Sequence, residues 1–269
     1  MEMLSFLLKN FFTHKDFLPS ADQIAGTLFT PLHLIFSAFC LALVILLSIY
    51  LSKKSIKTLR TFYTVLWVVA VVSEVAKILW ETYCGANIRF EWGGILPLYP
   101  CSIFMYALPF AIWGGEKVRF AACGYVCTLG FLGGAINFVY PANVISNYSC
   151  ISFAGFHTLF YHGAIILCAL SMLLSGYHKF SHSAKKGMLF LPAVPFLIMS
   201  VFANAVNFSP IGSDYMFFKL NSFFFAPIGA ATPDIVSVII VYIAYFIIHI
   251  VPYLPFYFKA KKATKKVTS

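Results

Sequence analysis

The stretch that decides the fold is Ile235–Ile250, IVSVIIVYIAYFIIHI, in which Ser237 and His249 are the polar residues besides two tyrosines. A bilayer core about 30 Å thick is crossed by roughly 20 mostly apolar residues of helix. Extended from Pro233 to Tyr257, this run has the required length. The sequence therefore predicts a membrane-spanning helix near the end of the chain.

The composition of the whole chain agrees with this interpretation. Of the 269 residues, 61% are hydrophobic and 10% are charged, against about 45–50% and 25% in a soluble domain. So few charges cannot cover the surface of a water-soluble globule. The composition therefore excludes a soluble protein and indicates a chain surrounded by lipid.

Six further stretches have the length and apolar character of a span, so we predict an all-α polytopic membrane helical bundle with seven transmembrane helices. The predicted spans are Pro31–Leu51, Thr61–Trp80, Ile95–Trp113, Arg119–Tyr140, Ser152–Ser175, Gly187–Phe208 and Pro233–Tyr257. The third is the weakest because it contains Pro97, Pro100 and Pro109. If this segment enters and leaves the membrane on one side, the number of spans is six.

The basic residues predict the orientation of the bundle. On one side of the predicted spans lie Lys53, Lys54, Lys57, Arg60, Lys117, Arg119, Lys179, Lys185, Lys186, Lys259, Lys261, Lys262, Lys265 and Lys266. On the other side lie Lys9, Lys15, Arg89 and Lys219, and Lys77 falls inside the second span. Because cytoplasmic loops carry the excess of Lys and Arg, we expect a multi-pass plasma-membrane protein with its N-terminus outside and its C-terminus in the cytoplasm.

The same distribution defines three regions and argues against nucleic acid as a partner, because the net charge of +10 lies in short loops. Residues 1–30 are predicted to form an N-terminal interfacial amphipathic segment, residues 31–257 the seven-helix transmembrane domain, and residues 258–269 a basic cytoplasmic tail. In the first region Leu4, Leu7, Leu8, Phe11 and Phe12 recur at helical spacing. A helix packed on the bundle fits this pattern equally well.

Polar residues inside the predicted spans mark candidate sites, because such groups are costly in lipid. They are Glu74, Lys77, Cys101, Asn137, His157, His162, Asn204 and Asn207. In the predicted topology all of them fall in the outer halves of their spans, and His249 of the last span is the exception among the polar residues. This shared depth predicts an outward-facing polar pocket that contacts membrane lipids and binds a lipid or a small-molecule substrate.

Each of these residues also has a purely structural interpretation. Glu74 and Lys77, three residues apart, form either a structural ion pair or a group that recognises a head group. The asparagines equally fit hydrogen bonds between helices. His157 and His162 are five residues apart, about 140° around a helix, which disfavours a two-histidine metal site. We predict neither a metal nor a cofactor. Cys84 and Cys150 both fall in predicted outer loops, where a disulfide is compatible with the sequence.

Three short motifs carry a resemblance to a known family. They are Leu96–Ser102 (LPLYPCS), Phe160–Gly163 (FYHG) and Gly212–Phe217 (GSDYMF). Their order and spacing resemble the YwaF-type bacterial integral membrane family, which is similar to eukaryotic multi-span lipid acyltransferases with a proposed catalytic Cys and His. The resemblance implies Cys101 and His162 as the catalytic pair. It also adds Asp214, where Asn is common in the family, to the candidate substrate-binding residues.

Together these features predict two kinds of function. In the first, Cys101 attacks the acyl group of a lipid and His162 takes the thiol proton, giving a thiol-dependent acyltransferase or acyl hydrolase. Pro97 and Pro100 would interrupt the helix beside the thiol and open space there. In the second, the same pocket binds or transports a lipid or small solute without chemistry. Glu74, Lys77, Asn137, His157, Asn204, Asn207 and Asp214 are the candidate substrate-binding residues in either case.

Overall fold

The computed structural model describes residues 5, 9–88, 90, 92–185, 187–218 and 234–268, and the regular elements in these ranges are helical. The prediction of an all-α membrane protein is confirmed. The longer helices are α1 (Pro31–Ser52), α2 (Ile56–Cys84), α3 (Ile103–Trp113), α4 (Glu116–Tyr125), α5 (Phe131–Val139), α6 (Phe153–Leu174), α7 (Val194–Asn207), α8 (Asp234–Ile250) and α9 (Leu254–Thr268). A π-helical turn, Val126–Gly130, joins α4 to α5. Single-turn α-helices occupy Trp92–Ile95 and Ala142–Ile145.

Among the described residues, five helical stretches are long and apolar enough to cross a membrane. They are Pro31–Ser52, Ile56–Cys84, Glu116–Ile145, Phe153–Leu174 and Asp234–Lys262. These stretches coincide with the first, second, fourth, fifth and seventh predicted spans. Two shorter apolar helices, Ile103–Trp113 and Leu191–Asn207, occupy the positions of the third and sixth.

The third predicted span is helical only in its second half, for a reason visible in its sequence. Pro97 and Pro100 have no backbone N–H, so Leu96–Ser102 forms turns, with the N–H of Ser102 donating to the carbonyl of Tyr99 at 2.9 Å. α3 begins only after Ser102 and has 11 residues. At 1.5 Å per residue it is about 16 Å long, roughly half the thickness of a bilayer core.

The chain divides into two compact units. Unit 1 comprises Met1–Glu91 and Phe131–Ser171, and unit 2 comprises Trp92–Gly130 and Met172–Ser269. Unit 1 is built on α1, α2, α5 and most of α6. Unit 2 is built on α3, α4, α7, α8 and α9.

The core of unit 1 packs α1, α5 and α6 together. Phe138, Leu159 and Ile166 are buried there, and side chains of α1 pack against them. Gly134 allows α5 to lie close to α6, because a Cβ at this position would be 3.1 Å from the carbonyl oxygen of His162. Gly134 is therefore a packing residue, because the absence of a side chain there lets the two helices approach closely.

Within unit 1, the described part of the N-terminal segment packs against α2. The backbone carbonyl of Phe12 accepts a hydrogen bond from Trp80 Nε1 at 2.8 Å, and His14 Nε2 lies 3.1 Å from Glu81 Oε2. These contacts join the described part of the segment to the end of α2. Leu4, Leu7 and Leu8, on which the predicted interfacial helix depends, lie outside the described residues. So do Arg89, Lys186, Lys219 and Pro233.

The cysteine thiols at the predicted outer end of unit 1 are not joined. Cys84, at the end of α2, is exposed, and Cys150 is buried. Both are free cysteines, so the disulfide that the sequence allows is not formed in this structure.

In unit 2 a compact aromatic core lies where α4, the turn before α7 and the start of α9 meet. Phe120, Met188 and Tyr253 are buried together. Gly124 is required for this packing, because a Cβ there would lie 2.7 Å from the Tyr253 hydroxyl and 2.8 Å from Pro192. This core holds the second half of α4, and Glu116 and Arg119 lie in the first turn of the same helix.

Candidate functional site

A buried ionic cluster lies on α2 and α6 of unit 1. Glu74 Oε1 accepts a hydrogen bond from Lys77 Nζ at 3.3 Å, and Glu74 Oε2 lies 3.3 Å from His157 Nε2. Glu74 and His157 are 6% and 8% exposed, whereas the Lys77 side chain keeps 28% of its surface exposed. A carboxylate at this burial is stabilised by nearby cationic donors. Lys77 has two further donor positions on its ammonium group, so it can bind a second anion or acceptor.

His162 is held in a defined tautomer one turn further along α6. Its Nδ1 lies 2.7 Å from the backbone carbonyl oxygen of Thr158. Because that oxygen only accepts, Nδ1 carries the proton, and Nε2 of the neutral ring has the lone pair. The Thr158 hydroxyl also donates to Asn137 Oδ1 at 3.4 Å, which brings α5 into the same group. In His162 the nitrogen with the free lone pair is therefore Nε2.

The two histidines of α6 have different partners, as their 140° separation predicts. His157 faces Glu74, and its ring stacks on that of Tyr161 with centroids 5.9 Å apart. His162 interacts with Thr158. Within the described ranges, no three His, Cys, Asp or Glu side chains are grouped to hold a metal ion.

In unit 2 the structure brings two of the three sequence motifs together. The Tyr215 hydroxyl accepts a hydrogen bond from the backbone N–H of Leu96 at 2.8 Å, and its ring lies 5.0 Å from that of Tyr99. Phe217 adds a second ring contact to Tyr99 at 5.3 Å. The segment Gly212–Phe217 therefore packs directly on the turns of Leu96–Ser102. Asp214 precedes Tyr215 in the same segment and accepts a hydrogen bond at its carbonyl from the N–H of Phe217 at 3.1 Å.

Cys101 lies half-buried at the point where these turns lead into α3. The carbonyl of the preceding residue, Pro100, accepts a hydrogen bond from the Tyr125 hydroxyl. The Cys101 thiol also interacts electrostatically with the hydroxyl groups of Tyr99 and Tyr245. The surroundings of the thiol in unit 2 are thus rich in phenols, of which the Tyr125 hydroxyl donates to the Pro100 carbonyl and the Tyr245 hydroxyl to the Met216 carbonyl.

The two asparagines of α7 have defined structural partners. Asn204 Nδ2 donates to the Tyr242 hydroxyl of α8 at 3.0 Å, an interhelical hydrogen bond of the kind that the sequence allowed. Asn207 donates to the carbonyl of Tyr215 at 2.9 Å and accepts from its N–H at 2.7 Å. Asn207 therefore fixes the backbone of the segment that packs on Leu96–Ser102.

Replacing Asn207 with Leu should lower the free energy of unfolding by about 1–3 kcal/mol, because two buried backbone groups of Tyr215 lose their partner. Hydrogen exchange of the Tyr215 amide in the purified protein should accelerate in parallel. Asn204→Leu is the matched control on the same helix, and it should leave exchange at Tyr215 unchanged. Equal exchange at Tyr215 in both variants would show that Asn207 does not hold this segment.

The candidate residues from the sequence are divided between the two units. Glu74, Lys77, Asn137, His157 and His162 lie in unit 1, whereas Cys101, Asn204, Asn207 and Asp214 lie in unit 2. Within unit 1 the structure connects Glu74 with Lys77 and His157, and connects His162 with Asn137 through Thr158. Convergence of all nine on one chamber stays a prediction.

Sequence reasoning missed several residues that organise these contacts: Thr158, Tyr125, Tyr215 and Tyr245. Thr158 lies four residues before His162, and this helical spacing was the available signal. Tyr215 was inside a motif but was not singled out. Nothing distinguishes Tyr125 and Tyr245 from the other tyrosines of the sequence, because their importance depends on contacts distant in the chain.

Comparison with known proteins agrees with the helical membrane architecture. The sequence matches the TMEM164 family over residues 28–228, which is most of the chain. No curated protein and no solved structure matches it. The matched range contains α1 to α7 and all of the candidate site residues. The chain therefore belongs to the TMEM164 family, as a membrane protein with several membrane-spanning helices.

Proposed function

We propose that this protein crosses the plasma membrane seven times, with the N-terminus outside and residues 258–269 as a basic cytoplasmic tail. The clustering of Lys and Arg in alternate loops supports this orientation. α3 and α7, each with the segment before it, would complete the third and sixth crossings. Residues 1–30 would lie at the outer face, before the transmembrane domain of residues 31–257. We also propose, from the resemblance of the three motifs, that the chain is related to the YwaF-type family.

Within this topology we propose thiol-dependent transfer or hydrolysis of a lipid acyl group. The observation that carries the proposal is the state of His162, a buried imidazole whose Nδ1 is bonded to a carbonyl and whose Nε2 has the lone pair. This is the tautomer that a base needs in order to take a proton at Nε2. Cys101 is the proposed nucleophile and His162 the proposed base, as the motif resemblance implies.

The reaction would proceed in two balanced steps. The Cys101 thiol loses its proton to His162, and the sulfur attacks the ester carbonyl of the lipid, so that an S–C bond forms and the C–O bond breaks. The leaving alkoxide takes the proton from the imidazolium. In the second step the oxygen of an acceptor alcohol, or of water in a hydrolase, attacks the thioester carbonyl, so that an O–C bond forms and the C–S bond breaks. The proton of that alcohol or water returns to the Cys101 sulfur and restores the thiol.

The ionic cluster of unit 1 supplies the proposed contacts to the polar part of the lipid. Lys77 is partly exposed and has donors beyond the one used by Glu74, so it can bind a phosphate or carbonyl oxygen. His157 and Asn137 would contribute further hydrogen bonds. In unit 2, Asn204, Asn207 and Asp214 would shape the surroundings of Cys101 through Tyr215 and Tyr242.

The alternative function is binding or transport of a lipid or small solute without covalent chemistry. The same cluster favours it, since Glu74 and Lys77 present opposite charges 3.3 Å apart beside a partly exposed surface. Such a pair recognises a zwitterionic group without a nucleophile. The two functions share the binding residues and differ in whether the Cys101 sulfur becomes acylated.

Lipid profiling of cells that express Cys101→Ser or His162→Gln tests the catalytic proposal. His162→Gln should reduce acyl transfer by at least about 100-fold, since general acid–base catalysis contributes about 10²–10⁴-fold. Cys101→Ser removes the nucleophile and should reduce acyl transfer at least as much. Gln keeps a donor near the Thr158 carbonyl but removes the base. Cys40→Ser, another half-buried cysteine of a predicted span, is the matched control and should retain activity.

The same preparations distinguish the enzyme from the alternative of a binding or transport protein. An acyl thioester should be trapped on wild-type protein and released by hydroxylamine, and it should be missing from Cys101→Ser. If acyl composition is unchanged in both variants and no thioester forms, the enzyme proposal is wrong. Retained lipid binding that depends on Lys77 would then support the binding protein.

A further inference from the structure

Unit 2 contains a cavity of about 220 Å³ that the proposed reaction does not use. It opens between α4 and the segment Tyr177–Met188. In the proposed topology both of these walls lie at the cytoplasmic end of the bundle. The cavity is smaller than the roughly 300–1,000 Å³ typical of pockets for drug-sized ligands, so its size suits a small polar group.

One wall of the cavity is a single face of α4. Glu116, Arg119, Phe120 and Cys123 line it, at positions i, i+3, i+4 and i+7. This spacing places the four side chains side by side along a helix. Two charged residues lie at the start of the helix and two less polar residues lie deeper, so the wall is polar at the mouth and apolar inside.

The opposite wall comes from the segment after α6. Tyr177, His178, Lys179 and His182 line it. The wall is fixed in place, because the Tyr177 hydroxyl donates to the carbonyl of Ala111 at 2.8 Å and His178 Nε2 lies 2.7 Å from the Tyr253 hydroxyl. Burial lowers the pKa of His178 to about 3, so this imidazole is neutral at physiological pH.

The charge balance of the cavity is positive. Arg119 and Lys179 line it directly, whereas the carboxylate of Glu116 is paired with Lys185. Burial lowers the pKa of His182, and the positive charges of Lys185 and Lys179 lower it further. A cavity with two lining cations and its carboxylate already neutralised attracts an anion.

We propose that this cavity binds a phosphate group, with Arg119 and Lys179 as its charged ligands and Phe120 and Met188 against the less polar part of the same molecule. Arg and Lys are the usual side chains for phosphate recognition. Basic pockets on the cytoplasmic side of membrane helices bind anionic lipid head groups. The phosphate belongs to an anionic phospholipid or to a soluble phosphate. This site is separate from Cys101 and His162, and its test does not depend on their chemistry.

Binding of fluorescent phosphatidic acid to the full-length protein in phosphatidylcholine nanodiscs tests the proposal. Arg119→Gln should weaken binding by about tenfold, the effect of losing one charge-assisted hydrogen bond. Lys117→Gln is the matched control, because Lys117 lies two residues away on α4 and does not line the cavity. It removes the same charge and should leave the affinity unchanged. Lys179→Gln provides a second variant at an exposed position, where folding is not at risk.

Two further measurements identify the source of the phosphate. Competition by inorganic phosphate would show that a soluble phosphate also fits, whereas binding of phosphatidic acid without such competition would assign the site to lipid. In either case the bound anion should raise the pKa of His182, measured from its imidazole NMR signals. Equal affinities of Arg119→Gln and Lys117→Gln, or no binding of either phosphate probe, would overturn the proposal.

Discussion

Replacing Glu74 with Ala should lower the free energy of unfolding of the detergent-solubilised protein by about 3–5 kcal/mol, the cost of removing one partner from a buried ion pair. Glu74 is 6% exposed and contacts both Lys77 and His157 at 3.3 Å. Without the carboxylate, Lys77 loses its counter-charge in a predicted membrane span, where an unbalanced charge is costly. Thermal unfolding followed by circular dichroism measures the effect.

Two further variants separate the charge effect from a general loss of packing. Glu116→Ala breaks an exposed ion pair with Lys185 and should leave stability almost unchanged. The double variant Glu74→Leu/Lys77→Leu removes both charges and should recover much of the loss, because an apolar pair of similar volume often replaces a buried ion pair without cost. A loss in Glu74→Ala no greater than that in Glu116→Ala would contradict the ionic role of Glu74.

Gly155→Ala should destabilise unit 1 by about 3 kcal/mol, at the upper end of the usual cost of overpacking. Gly155 lies in the first turn of α6, directly against the backbone of the segment Ser149–Ser152. A Cβ there would be 2.1 Å from the carbonyl oxygen of Ser149 and 2.8 Å from the Cα of Cys150. Both are backbone atoms, which cannot rotate away as a flexible side chain can. The start of α6 would therefore shift.

Gly133→Ala is the matched control for this substitution. Gly133 is also helical, on α5, and a Cβ there has no neighbouring atom within 4 Å. Alanine is the better helix former by about 0.5–1 kcal/mol, so this variant should be as stable as the wild type or slightly more stable. Opposite signs of the two changes in unfolding free energy are the expected result. A similar effect at both glycines would contradict the close backbone approach at Gly155.

The fold was largely predictable because each span is a local property of the sequence. A run such as Ile235–Ile250 needs no distant partner to be helical in lipid, where the backbone must satisfy its own hydrogen bonds. The third span was the weakest prediction for an equally local reason. Pro97 and Pro100 interrupt the helix, and α3 is limited to 11 residues.

The candidate site was predictable only in part. Glu74 and Lys77 are neighbours on one helix, so their contact followed from spacing alone. His157 joins them from α6, and nothing in the sequence specifies the rotation of one helix against another. The contact of Tyr215 with Leu96 joins residues more than 100 positions apart, so it depends on the packing of unit 2.

The sequence by itself determined that this chain is a helical membrane protein, where its apolar helices lie, and which polar residues lie within them. Those properties follow from hydrophobicity, proline positions and helical spacing, all of which act over a few residues. The tertiary structure decided which polar side chains contact one another. It placed His157 on Glu74, set the tautomer of His162, and joined the Leu96–Ser102 and Gly212–Phe217 motifs. These contacts depend on how helices distant in sequence pack together, and side-chain shape and hydrogen bonding across the whole unit determine that packing.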